Sequence, residues 1–151
     1  AGSSIRYAVA LSAGRAITVG NGRVTLWQLP EAQGVWTASL PDASGGGLSP
    51  DGKVLFVAHA GGVRALDIDT GAALGDLQAD PIKHRGDERV AVAVSGDGKR
   101  LAALSGPPTS LVLRVWELSD GSLLSRLNLP FGGDRLTLRF LGSRFLLAGE
   151  Q

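Results

Sequence analysis

The 151-residue chain contains no cysteine. Disulfides, zinc–thiolate centres, iron–sulfur clusters and cysteine nucleophiles are therefore excluded. Methionine is missing too, even at position 1, so the chain is expected to be processed, trimmed or cut from something longer. An excess of one charge is also lacking. Lys and Arg total 15 against 14 Asp and Glu, a net charge of +1. That balance lacks the electrostatic footprint of a dedicated nucleic-acid binder, and basic residues are scattered among acidic ones. Long hydrophobic runs are absent. The apolar stretches, such as Val54–Ala58 and Val90–Val94, are strand-sized, far below the roughly 20 residues a bilayer needs. No basic segment followed by an apolar run opens the chain, so neither a signal peptide nor membrane insertion is expected. What is present is a globular balance of 44% apolar and 19% charged residues, sized for one domain or two small ones. The 22 glycines announce many turns.

The chain repeats itself. Tyr7–Val19 followed by Asn21–Leu29 has the pattern of Leu48–Val57 followed by Gly61–Ile68, and of Val90–Leu104 followed by Leu111–Leu118. A fourth copy starts at Leu136. Ser12, Ser49 and Ser95 take equivalent places, 37 and 46 residues apart. Trp27, Leu66 and Trp116 also align, 39 and 50 apart. These spacings bracket the roughly 40–45 residues of a four-stranded propeller blade.

Each unit reads as four short strands rich in Val, Leu, Ile and Ala. In the second unit they are expected at 45–49, 53–58, 62–68 and 73–78. Asp51-Gly52 and Asp97-Gly98 read as two-residue hairpin turns, because glycine accepts the positive φ such turns need. Asn21-Gly22 and Gly61-Gly62 close the second hairpins, and Thr70-Gly71 and Asp120-Gly121 the third. No window of helical periodicity is free of turn formers, so helix content should be near zero. The first strands are small and apolar (Ala8, Val9, Ala10; Ala91, Val92, Ala93), suited to the crowded centre of a propeller. The third strand of the first unit sets Val24, Leu26 and Trp27 against Arg23, Thr25 and Gln28.

Ser49-Pro50-Asp51-Gly52-Lys53-Val54-Leu55-Phe56-Val57-Ala58, followed by Gly62-Val63-Arg64-Ala65-Leu66-Asp67-Ile68-Asp69-Thr70-Gly71, resembles the WD40-repeat β-propellers of divergent bacterial type. Leu113-Arg114-Val115-Trp116-Glu117-Leu118-Ser119-Asp120-Gly121 resembles the Trp-Asp end of such a repeat, and Leu26-Trp27-Gln28-Leu29 matches it less closely. The likeness spans about 7–149. It departs from the family in two ways. The Trp-Asp pair stands as Trp27-Gln28, Leu66-Asp67 and Trp116-Glu117, and the Gly-His opening is missing. His84 lies in the right connecting region but between Lys83 and Arg85. The resemblance implies a non-catalytic scaffold for protein partners.

The expected architecture is all-β: a partial propeller of about three and a third four-stranded antiparallel blades. The units are placed at about 5–41, 44–79 and 89–129, with an incomplete one at 135–151. Such an arc cannot close a ring. Three readings stay open. The chain is a fragment of a longer protein, it pairs with another chain or further blades to complete the ring, or it is a short arc stable alone.

Binding residues concentrate on loops held by rigid scaffolds. The most polar connection, 78–89, carries Asp80, Lys83, His84, Arg85, Asp87, Glu88 and Arg89. The loop at 106–110 carries Pro107, Pro108 and Thr109. In a propeller both lie on one rim, and together they are the candidate partner-binding loops, set against solvated loops with no partner. Arg85-Gly86-Asp87 matches an adhesion tripeptide by chance. Trp27, Leu66 and Trp116 are read as core positions, and Asp51, Gly52, Asp97 and Gly98 as turn positions. Trp36 is the tryptophan expected to be most exposed. His59 and His84 form no ligand cluster, so neither metal nor other cofactor is expected. His59 reads as a structural residue closing a strand. No Gly-x-Ser-x-Gly elbow is present, and Gly45-Gly46-Gly47 reads as a loosened inner strand, not a phosphate loop. The chain is thus read as no enzyme, with a fragment of a quinoprotein-type propeller enzyme or cofactor-binding protein as the alternative. Its Ala-, Gly-, Leu- and Arg-rich usage suggests a GC-rich bacterial source. Absence of cysteine fits either side of a bacterial membrane, the cytoplasm being favoured.

Overall fold

Alternating apolar and polar residues between glycine-marked turns make strands, and strands are what the chain forms. The structure is a computed structural model, and it describes residues 4–59, 62–78, 89–107, 109–130, 135–142 and 144–150. Among the described residues there are fourteen strands and no helix, hence none long and apolar enough to cross a membrane.

The first sheet comprises β1 (Ile5–Leu11), β2 (Arg15–Gly20), β3 (Arg23–Gln28) and β4 (Gln33–Ser39). The second comprises β5 (Gly45–Leu48), β6 (Val54–His59), β7 (Gly62–Asp67) and β8 (Ala73–Gln78). The third comprises β9 (Arg89–Val94), β10 (Arg100–Gly106), β11 (Leu111–Glu117) and β12 (Leu123–Leu129). β13 (Arg135–Leu141) pairs with β14 (Arg144–Glu150) in a two-stranded sheet. Each four-stranded sheet is an antiparallel meander in chain order.

The aligned positions coincide in space. Trp27, Leu66 and Trp116 sit opposite Ala16, Leu55 and Leu101 on the second strand of their sheets. On the other side the register slips by one residue at these same places, between Leu26 and Trp27, Ala65 and Leu66, and Val115 and Trp116. The outer strands thus carry matching bulges, whose extra residues Val35, Leu74 and Leu124 are exposed.

Neighbouring sheets bury facing sides, as period-two alternation requires. Ile17, Val19, Val24 and Leu26 of the first sheet pack on Leu55, Val57, Leu66 and Ile68 of the second. Phe56, Ala58 and Val63 on the other face of the second sheet pack on Leu101, Ala103 and Trp116 of the third. Ala102, Leu104, Leu113 and Val115 then meet Leu138 of β13. Trp116 is fully buried, so truncating it to alanine should cost about 3–5 kcal/mol.

Gly45, Gly46 and Gly47 are buried in β5 for a steric reason. A Cβ at Gly45 or Gly47 would lie 3.1 or 3.0 Å from the carbonyl oxygens of Val90 and Val92, and one at Gly46 would lie 3.0 Å from the Tyr7 ring. Without side chains the inner strands β5 and β9 come together beside Tyr7. Burial pushes the Tyr7 phenol above its usual range.

Three expectations need correction. The Asp-Gly turns are not two-residue hairpins: β5 ends at Leu48 and β6 starts at Val54, and β9 and β10 are separated likewise. The Ser49 hydroxyl donates to Asp51 at 2.6 Å and accepts from the Val54 N–H at 3.0 Å, so side chains lengthen the loop. Ser95, Asp97 and the Arg100 N–H repeat that geometry. Trp27 does not share a face with Leu26. Adjacent strand residues point to opposite faces, so Trp27 lies on the far side with Thr25, half-buried, its Nε1–H donating to Thr18 Oγ1 at 2.9 Å. Trp36 is half-buried, not exposed. It packs into the first intersheet core and donates its Nε1–H to the Ile68 carbonyl at 2.9 Å.

Candidate functional site

The turns fall on two rims. One rim carries the β2–β3 type of turn with the connections between sheets. Asn21 and Gly22 form a two-residue turn there, with φ of 53° and 69°. The Leu40 N–H donates to the Gly22 carbonyl at 2.8 Å, tying the first intersheet connection to that turn. In the third sheet Arg89 opens β9 opposite Gly106. Pro107 and Thr109, both exposed, follow Gly106. The rim thus brings Arg89 to the same end of the sheet as Pro107 and Thr109. Asp80, Lys83, His84, Arg85, Asp87, Glu88 and Pro108 lie outside the described residues. His59 closes β6 opposite Gly62, half-buried.

The opposite rim carries the β1–β2 and β3–β4 types of turn. Asp51 and Asp97 each accept a hydroxyl from their serine and the N–H of Lys53 or Lys99. The serine bond first, then the backbone N–H, holds both carboxyls below their usual range. Gly52 and Gly98 take φ of 70° and 71°, which glycine alone adopts without strain. Asp67 is lowered by the N–H and hydroxyl of Thr70, and Asp120 by the hydroxyl and N–H of Ser122. Arg15 of the first sheet crosses to Asp69 of the second at 3.0 Å.

One face carries a recurrent cross-strand pair that sequence reading overlooked. Two residues before the aligned position stand Thr25, Arg64 and Arg114, opposite Thr37, Asp76 and Arg126. The threonine hydroxyls are 3.1 Å apart. Arg64 grips Asp76 through Nε at 2.8 Å and Nη2 at 3.0 Å, which lowers the Asp76 carboxyl. Arg114, 5% exposed, donates to Ser105 at 3.1 Å. Counting back two from each aligned residue would have found all three pairs.

The equivalent faces of the second and third sheets are covered by the sheet before them. In the first sheet this face is a shallow apolar hollow of about 770 Å³. Trp27, Thr18, Thr25, Thr37 and Ala16 line it. Among the described residues, no group of three or more His, Asp or Glu side chains converges to hold a metal.

No protein-family model matches the chain. No curated protein matches it by sequence. Solved structures do. The β-propeller domain of Myceliophteria thermophila Cps50 (Swd1) superposes on 97% of the chain with a TM-score of 0.67 at 17% identity. The RRP9 WD40 repeats superpose on 97% with a TM-score of 0.69 at 16% identity. The dihydro-heme d1 dehydrogenase NirN superposes on 98% with a TM-score of 0.62 at 21% identity. The chain spans 48%, 45% and 32% of those chains, less than half of each. The fold is that of a WD40-type β-propeller, present as three four-stranded sheets and a further hairpin.

Proposed function

We propose that the chain is a non-catalytic scaffold for protein partners, one arc of a larger WD40-like propeller. The observation that carries this reading is the open face around Trp27. Trp116, at the same register position, is buried against the preceding sheet, and Leu66 is buried likewise. The first sheet's hollow repeats their surroundings and calls for the same occupant: another four-stranded sheet, from further blades or another chain. In this reading the stacked sheets hold the turn rims rigid, and partners are recognised by shape and a few polar groups. The rim with Arg89, Pro107 and Thr109, together with the loop carrying Asp80, Lys83, His84, Arg85, Asp87, Glu88 and Pro108, is the proposed recognition edge.

The test is a photo-crosslinking residue at Thr25 in the protein as made by its host. Cross-links should run to strand segments of one defined polypeptide, the same or a second. A folded, monodisperse monomer in sedimentation velocity that gives no cross-link at Thr25 would overturn the reading. The superposition on NirN, a dehydrogenase whose structure is in complex with DHE, favours a second reading, a cofactor-bearing propeller. Absorbance and metal analysis of the protein from its host separate the two: a stoichiometric chromophore supports the second.

A further inference from the structure

Successive sheets leave a groove between them on the rim of the Ser-Asp turns, and the two complete grooves differ in one instructive way. Between the first and second sheets the groove is lined by Arg15, Asp51, Lys53 and Asp69. Arg15, at the start of β2, pairs with Asp69 across the sheet boundary. The molecule thus sets its own guanidinium in the wall of this groove, which keeps about 300 Å³ open.

Between the second and third sheets the counterpart groove is larger, about 440 Å³. Val54 starts β6 in the place Arg15 has in β2, one residue before the partner of the aligned position. Ser119 stands in the place of Asp69, three residues after Trp116 as Asp69 follows Leu66. The built-in arginine–aspartate pair is therefore absent, and no lysine or arginine lines this groove among the described residues. Its lining combines apolar Val54, Phe56 and Leu118 with Asp51 and Asp97 of the neighbouring turns. Those turns lie side by side, since a Cβ on Gly98 would contact Pro50 at 3.8 Å. Each carboxylate uses Oδ1 for its own turn, and both aspartates are exposed.

An apolar lining beside two carboxylates matches a side chain with an aliphatic stem and a cationic, planar head. We propose that this groove takes an arginine side chain from a partner protein, its stem on Val54, Phe56 and Leu118 and its guanidinium between Asp51 and Asp97. The proposal rests on the scaffold reading and names the chemistry of one contact. Arginine is preferred to lysine because a guanidinium can donate to two separated carboxylates in one plane.

The test is an NMR titration of the ¹⁵N-labelled protein with N-acetyl-arginine methylamide, run beside the neutral citrulline analogue, the lysine analogue and the norleucine analogue. The arginine probe should give saturable shifts centred on the amides of Gly52, Gly98 and Leu118. Citrulline and norleucine should not, and lysine should bind more weakly. The double substitution D51N/D97N keeps an Oδ1 acceptor for each turn and should weaken binding about fivefold, from the loss of two exposed ion pairs. V54R, which restores the residue type of the neighbouring groove, should block the probe in a folded protein. D69N, in that neighbouring groove, should leave the titration unchanged. Equal response to citrulline or norleucine, tighter binding of lysine, shifts centred elsewhere, or indifference to both D51N/D97N and V54R would overturn the proposal. The titration reads this groove alone, whereas the Thr25 cross-link reads the open sheet face, so either can fail without the other.

Discussion

Gly71 and Gly121 occupy the same place in successive sheets, five residues past Leu66 and Trp116, and with nearly the same backbone, φ 71° and 72°. Replacing either by alanine puts a Cβ into the left-handed region, at roughly 1–2 kcal/mol. Their surroundings differ. A Cβ at Gly121 meets only Leu77 Cδ2, at 3.4 Å, an ordinary contact. A Cβ at Gly71 would sit 2.6 Å from Trp36 Cδ2 and 2.7 Å from Cε3, so the ring must move. Overpacking of this kind adds about 1–3 kcal/mol. Displacing the ring also strains its 2.9 Å bond to the Ile68 carbonyl, at about 0.5–1.5 kcal/mol if lost. G121A should therefore cost about 1–2 kcal/mol and G71A about 2–5 kcal/mol. Urea unfolding followed by far-ultraviolet circular dichroism reads both. A double-mutant cycle isolates the cause: in a W36A background the cost of G71A should fall to that of G121A. Equal costs in the parent protein, or a G71A penalty that survives W36A, would refute the claim that Trp36 against Gly71 locks the first sheet to the second.

Two further outcomes follow from the turns. Asp51, Asp67, Asp97 and Asp120 have carboxyls lowered in the folded chain. A lowered folded value means stability present above the unfolded aspartate range, near ~3.9, and lost as pH falls through the folded values below it. Urea midpoints should be level from about pH 7 to 5 and drop below about 4, and D97N should flatten part of that drop. Ala13, in the β1–β2 turn, has φ 60°, where the other two sheets place a longer serine–aspartate turn. A13G should raise stability by about 0.5–1 kcal/mol in the same urea assay, and a loss would show that the turn carries no backbone strain.

Repetition made the fold legible. The spacing of Ser49 and Ser95, and of Trp27, Leu66 and Trp116, reports positions that the strand register then makes equivalent. What escaped reading was set by neighbours distant in sequence. Trp27 is the exception: grouping it with Leu26 overrides alternation, and period two by itself places Trp27 with Thr25 on the opposite face. Trp36 looked peripheral because β4 is the outermost strand of its sheet, yet its partner is a carbonyl of the next sheet, 32 residues on. The Asp-Gly turns looked shorter than they are because a serine hydroxyl bonds ahead of the glycine. The candidate site was legible only as loops. The groove between the second and third sheets draws on Val54, Asp97 and Leu118, residues that only the stacking of sheets brings together.

The bulges at Val35, Leu74 and Leu124 bear on how this molecule meets others. A straight perimeter strand would offer a ladder of free backbone groups to any passing extended chain. Here each perimeter is bent out of register partway along, so an added strand would lose its ladder at the kink. Association is thereby steered away from the circumference and toward the broad flanks and the turn-bearing ends.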